Sequence, residues 1–87
     1  MDISKSDIIE SLAGRDKGKF FYVIETEENF VLIADGKTRK LANPKKKNPL
    51  HLQKTLSAIE LTDITDKKLR TALIKFNVGA HIAEESD

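Results

Sequence analysis

The 87-residue sequence contains no cysteine and only two prolines. Without cysteine the chain can form no disulfide, no thiolate metal site and no thiol nucleophile. No apolar run approaches the roughly 18–20 residues that a membrane-spanning helix needs. The first seven residues also lack the charged-then-apolar pattern of a signal peptide. We therefore expect a soluble, cytoplasmic protein with no membrane partner.

The sequence also lacks the side-chain combinations that catalysis and metal binding require. His51 and His81 are too isolated to form a metal site, and the serines and threonines show no arrangement of base and nucleophile. No glycine-rich loop ends in the Lys-Ser or Lys-Thr of a nucleotide-binding loop. A chain of this length buries only about 60–65% of its surface on folding, which leaves little room for a deep pocket. We expect a non-catalytic domain with no cofactor and no metal.

Acidic residues are absent from residues 36–54, which contain seven lysines and arginines. Residues 1–35 carry 4 basic and 8 acidic side chains, and residues 55–87 carry 4 and 6, so the whole chain has a net charge of only +1. Positive charge that is concentrated in one segment of the chain attracts a polyanion. The alternative is a solvated surface that only keeps the protein soluble, but the lack of interspersed acids counts against it. The run therefore predicts contact with nucleic acid.

Short runs of β-branched and aromatic residues predict a mainly β fold. We expect strands at residues 8–13, 19–25 and 30–34, and one more within residues 50–61. The strands at 19–25 and 30–34 are apolar on both faces, so one face can line a small antiparallel barrel while the other needs a cover.

The basic run itself is predicted to be one short strand followed by a loop. Asp35-Gly36 favours a tight turn that leads into a strand at residues 37–41. Pro44 and Pro49 remove amide donors and favour extended neighbours, so residues 43–49 are expected to form an exposed loop.

An apolar stripe with helical spacing follows residue 65. Leu69, Leu73 and Phe76 fall at i, i+4 and i+7, and Thr65 is a suitable N-cap, which predicts a helix near residues 66–77. This stripe is the expected cover for the open face of the sheet.

The predicted helix ends at Gly79, with Asn77 as the other candidate. Residues 1–79 then form a single domain, and residues 80–87 form an acidic, flexible tail.

Residues 12–19, in which Gly14 and Gly18 frame a basic turn between two strands, resemble the KOW motif of RNA-binding SH3-like barrels. That motif occurs in ribosomal proteins and transcription elongation factors. Residues 43–52 also resemble small bacterial KOW proteins, which are similar to KOW-containing large-subunit ribosomal proteins of eukaryotes and archaea. Two features depart from the pattern: Lys19 runs directly into the aromatic strand, and Ser6 stands where related chains often have glycine.

The resemblance implies an SH3-like antiparallel barrel with a C-terminal helix, and an RNA partner, ribosomal or otherwise structured, in a translation-related role. Without it, an ordinary hairpin turn would explain the two glycines equally well. Two other functions remain open: a transcription-elongation accessory, and a protein-interaction module that binds an acidic partner.

Basic side chains near the turn and along the run form the candidate RNA-binding set. Arginine holds phosphate with two parallel hydrogen bonds and lysine acts as a point charge, which predicts recognition of backbone and shape. The lysines at 45–47 are expected to act as a flexible clamp. The set comprises Gly14, Arg15, Lys17, Gly18, Lys19, Lys37, Arg39, Lys40, Lys45, Lys46, Lys47, His51 and Lys54.

The aromatic residues of the strands are expected to be core, with Tyr22 as the exception because its hydroxyl needs water or a partner. Asp16 is expected to be a turn residue or a partner of Arg15.

Overall fold

The computed structural model describes the backbone of residues 2–85 and the side chains of residues 2–77. Five antiparallel strands form one open sheet with the order β4-β3-β2-β1-β5. No described helix is both long and apolar enough to cross a membrane. The elements are β1 (Asp7–Ser11), β2 (Phe20–Thr26), β3 (Val31–Ala34), β4 (Lys45–Lys47), a short 3-10 helix (Pro49–His51), β5 (Leu52–Ala58) and α1 (Asp66–Glu85).

The mainly β fold and four of the predicted elements are confirmed. β1, β2, β3 and β5 lie where the apolar and aromatic runs placed them. The helix begins as predicted, because the Thr65 hydroxyl accepts a hydrogen bond from the Lys68 amide at 3.1 Å. Local composition and capping determine these elements.

The two faces of the sheet carry two separate clusters of buried residues. On one face, Phe21, Val23 and Ile33 belong to a cluster that also contains Ile3 and Leu52. On the other face, Tyr22 packs with Leu69 and Leu73 of α1. The helix therefore covers the second face, as the two-sided apolar strands predicted.

Three expectations about the basic run and the helix are wrong. Residues 37–41 form turns and bends instead of a strand. The expected exposed loop at residues 43–49 contains β4, which pairs with β3. The helix does not end at Asn77 or Gly79 but continues to Glu85. The tail predicted at 80–87 is thus helical up to residue 85, and residues 86 and 87 lie outside the described part of the chain.

Candidate nucleic-acid interface

Two basic loops leave the sheet at the same end. The register pairs the last residues of β1 with the first of β2, and the last of β3 with the first of β4. Tyr22, near the start of β2, pairs with Ala34 at the end of β3. Residues 12–19 and 35–44 therefore lie together, and we call these two loops the basic end. Its cationic side chains are Arg15, Lys17, Lys19, Lys37, Arg39 and Lys40.

The six cations of the basic end are available to a ligand. Five are exposed and Arg39 is half-buried. None of them belongs to any of the ion pairs found among residues 2–77. The exposed His51 is close by, because its carbonyl accepts a hydrogen bond from the Leu12 amide at 2.8 Å. The structure thus brings together seven basic residues of the predicted set with the two glycines that shape the first loop.

Three acids of the same half of the chain lie at the opposite end of the sheet. Glu25, Glu27 and Glu28 surround the β2–β3 turn and are exposed. Lys5 pairs with Glu25 there at 3.6 Å. The sheet therefore separates positive and negative charge between its two ends.

Asp16 is the one acid in the first basic loop, and it is bound internally. Its carboxylate receives hydrogen bonds from Lys45 at 2.8 Å, from the Ser11 hydroxyl at 2.7 Å and from Lys47 at 3.2 Å. Burial acts to raise the pKa of this carboxyl, but the hydrogen bonds from Lys45, Ser11 and Lys47 outweigh it and hold the pKa well below its ordinary range. Asp16 therefore stays ionised and bound instead of offering a negative charge to a ligand. Its partners are these lysines and not Arg15.

The flexible clamp expected at residues 45–47 is wrong. Successive side chains of a strand point to opposite sides, so Lys45 and Lys47 turn inward to Asp16 while Lys46 turns outward. Lys47 is only 8% exposed and also donates to the Ala13 carbonyl at 3.0 Å. The Lys46 ammonium lies 4.2 Å from the centre of the Phe30 ring. Two of the three lysines are thus structural cations, and one remains at the surface.

Asp35 performs a similar role in the second basic loop. One of its carboxylate oxygens accepts from the amides of Lys37 at 2.9 Å and Arg39 at 2.8 Å, and the other accepts from the Thr38 hydroxyl at 2.7 Å. The carboxylate is enclosed by the backbone, so the loop turns its cationic side chains outward. The sequence predicted only a tight turn at Asp35, although aspartate commonly binds amides two residues ahead.

Glycine is required at two positions of the first basic loop. Gly14 has φ +85° and Gly18 has φ +88°, a region that other residues rarely adopt. A Cβ at Gly14 would meet Lys47 and Asp16 at ordinary contact distance, 3.6 and 3.7 Å, so the bend brings the backbone directly over the buried ion pair. The two glycines thus shape the turn that holds Asp16.

The remaining predicted residues have other surroundings. Lys54, on β5, lies 3.7 Å from Asp7 and donates to the Asp2 carbonyl at 3.2 Å, away from the basic end. Tyr22 was expected to be the exposed aromatic, but it is buried, and its hydroxyl donates a hydrogen bond to the Ser6 hydroxyl at 3.0 Å.

Among the described residues no group of three potential metal ligands occurs. No known protein-family description matches the chain, and comparison with curated proteins found no match.

Proposed function

We propose that this protein is a non-catalytic RNA-binding protein that recognises the shape and phosphates of structured, ribosomal-type RNA in a translation-related role. One observation carries the proposal. The basic end presents six cations, while both of its acids, Asp16 and Asp35, are consumed by internal hydrogen bonds. A ligand approaching this end therefore meets positive charge without interspersed negative charge, which suits a phosphate backbone.

The surroundings of the aromatic side chains favour folded RNA over a single strand. Proteins that bind single strands stack bases on exposed aromatic rings. Phe21 and Tyr22 are buried, and Phe20, Phe30 and Phe76 are only partly exposed. Phe20 packs on Phe76 with 5.8 Å between ring centres, and Lys46 lies over Phe30. Contacts from rigid loops to phosphates and sugars, as made on RNA duplexes, suit this surface better.

The backbone supports an SH3-like barrel of the KOW type as the finer description of the fold. The strand order is compatible with a small barrel. Gly14 and Gly18 both need positive φ, as a glycine-framed turn between two strands would. Ser6 adopts φ +79° at the position where the resemblance expects glycine, so its backbone keeps the glycine-like geometry.

The test is a salt titration of RNA affinity with the triple variant R15Q/K17Q/K19Q. Each phosphate contact contributes about 0.7–0.9 to the log–log slope of affinity against salt, so three lost contacts should lower the slope by about 2–3. The matched control is Lys5→Gln, which removes one cation from the opposite end and should leave both affinity and slope unchanged. A single Lys17→Gln exchange provides the one-charge comparison.

Competition between an RNA hairpin, a DNA duplex of the same sequence and an unstructured RNA identifies the ligand class. The proposal expects the hairpin to bind most tightly. If the triple variant and wild type bind the hairpin with the same affinity and slope, the basic end is not an RNA site and the proposal is wrong. Preferential binding to an acidic protein would instead favour an interaction module.

A further inference from the structure

The exposed side of α1 carries a second group of basic residues. Residues 67–77 contain four lysines and arginines and no acid. The chain-level count hides this group, because the acids of residues 55–87 all lie before or after it. Lys67 and Arg70 are exposed together with Ile74, which is 56% exposed.

Two contacts fix which flank of α1 faces the basic end. At the start of the helix, the Asp66 carboxylate accepts from the Leu41 amide at 2.8 Å. Further along, the Asn77 side chain accepts from the Phe20 amide at 2.9 Å. Leu41 belongs to the second basic loop, and Phe20 directly follows the first. The helix therefore runs along this end of the sheet from one basic loop to the other.

Arg70 lies on the flank that makes those contacts. With 3.6 residues per turn, positions 66, 70 and 77 fall within about 40° of one another around the helix. Gly36 confirms the proximity, because a Cβ there would lie 2.9 Å from the Arg70 amide nitrogen. Lys67 is next to Arg70 on the solvent side of this flank. Arg70 thus lies beside Gly36 of the second basic loop, on the part of the helix between its contacts with the two loops.

The other two cations of the helix differ in position and in contacts. Lys68 donates to the carbonyls of Thr62 and Asp63, each at 3.1 Å. Lys75 lies 5.5 Å from the centre of the Phe76 ring. These two residues sit about 120° around the helix from Lys67 and Arg70. None of these four helix cations takes part in an ion pair formed among residues 2–77.

The position of Lys67 is also unfavourable for the helix itself. It occupies the first turn, where the partial positive charge of the helix N-terminus disfavours a cation by about 0.3–1 kcal/mol. Neither capping nor packing of α1 accounts for a lysine there.

We propose that Lys67 and Arg70 are phosphate-contacting residues that join the two basic loops into one continuous RNA surface, so that α1 serves recognition as well as packing. This inference rests on the proposed function and extends the site to a third segment of the chain. A ligand that touches loop, helix and loop must present phosphates over a broad face, as a folded RNA does.

The test compares two double variants of the full chain that remove the same charge from the same helix. K67Q/R70Q should bind an RNA hairpin on the order of tenfold more weakly at 0.1 M salt and lower the salt slope by about 1.4–1.8, two phosphate contacts in all. The matched control K68Q/K75Q should leave the slope unchanged. Thermal unfolding of K67Q/R70Q should stay at or slightly above wild type, which separates lost contacts from lost folding.

The outcomes distinguish this inference from the function on which it rests. If R15Q/K17Q/K19Q loses RNA affinity while K67Q/R70Q behaves like K68Q/K75Q, the basic end binds RNA without the helix and the inference is wrong. If neither the triple variant nor K67Q/R70Q differs from wild type, the proposed function fails with it. Equal losses from both helix variants would show general charge attraction, which also contradicts a defined contact at Lys67 and Arg70.

Discussion

At the scale of single residues, Asp16 determines how the lysines at 45–47 are used. Its carboxylate binds the ammonium groups of Lys45 and Lys47, and Lys47 could not be buried without that countercharge. The lysines at 45–47 resemble a mobile cationic loop in the sequence, but two of the three, Lys45 and Lys47, form ion pairs inside the fold. The cations of the basic end come instead from residues that belong to no ion pair formed among residues 2–77.

Asp16→Asn should destabilise the protein by about 3 kcal/mol. The variant keeps the side-chain volume but leaves Lys47 charged, buried and without its anion, and breaking one side of a buried pair typically costs about 3–5 kcal/mol. Equilibrium unfolding in urea measures the loss. The control Asp63→Asn removes the same charge at an exposed position and should change stability by less than about 0.5 kcal/mol. A difference that small for Asp16→Asn would contradict the structural role of the ion pair.

The same variant should also change the response to acid. Because the pKa of Asp16 is lower in the folded protein than its ordinary value of 3.8, the unfolded chain binds the proton more readily. The stabilisation is complete above pH 3.8 and is lost as pH falls from there toward the folded pKa, by at most about 1.4 kcal/mol per pH unit. Urea unfolding at pH 5, 4, 3 and 2 should therefore show a steeper decline for wild type than for Asp16→Asn. If the stability of the two proteins declined equally with falling pH, the pKa of Asp16 would not be lowered in the folded protein.

At the scale of elements, the close contact between the second basic loop and α1 depends on Gly36. This residue has φ +77°, and an added Cβ would overlap the Asp66 carbonyl. The loop can therefore lie against the first two turns of the helix, where Leu41 binds Asp66. The placement of the second basic loop beside Arg70 follows from this contact.

Gly36→Ala should cost more stability than Gly18→Ala. Both positions have positive φ, so both variants incur backbone strain of about 1–2 kcal/mol. At Gly18 nothing lies within 4 Å of the added methyl group, whereas at Gly36 the backbone of α1 must move. Chemical denaturation of the two variants isolates the difference, for which we expect at least about 1 kcal/mol more at Gly36. Equal losses would mean that the loop does not pack on the helix.

At the scale of the whole molecule, the chain is nearly neutral but its positive and negative charges lie at opposite ends. The net charge is only +1, but positive side chains are concentrated at the basic end and negative side chains at the β2–β3 turn. The molecule measures 39 × 28 × 23 Å, and even its shortest dimension exceeds the Debye length of about 8 Å at physiological salt. A bound RNA is therefore affected mainly by the end that it touches, while an approaching RNA is oriented by both ends when salt is low.

E27Q/E28Q should raise the rate of RNA association at low salt only. At about 0.01 M the Debye length is roughly 30 Å, so removing two distant acids increases the attraction felt during approach. At 0.15 M the rate should match wild type, and the salt slope of the equilibrium affinity measured above about 0.1 M, where the distant acids are screened, should not change because no phosphate contact is altered. Stopped-flow mixing with an RNA hairpin measures both rates. A faster association at 0.15 M would indicate that the β2–β3 turn lies next to the bound RNA.

The sequence alone determined those features whose physical cause is local. The aromatic run of β2, the N-cap at Thr65 and the apolar stripe of Leu69 and Leu73 each act through neighbours within a few residues. For the same reason the mainly β fold and the helix packed on one face of the sheet followed from periodicity. The exposed character of Arg15, Lys17 and Lys19 could also be predicted, because a glycine-framed turn leaves its side chains at the surface.

Which charges face solvent depends on contacts between residues that are far apart in the chain. Asp16 meets Lys45 and Lys47 across 29 and 31 residues of chain, and three identical lysines show no alternation that would predict a strand. β4 forms because β3 offers it a hydrogen-bonding edge, and its inward lysines are stabilised because Asp16 supplies the countercharge. The count of charged residues along the sequence therefore indicated only roughly where the basic surface lies. Pairing between distant residues determined which cations remain available for a ligand.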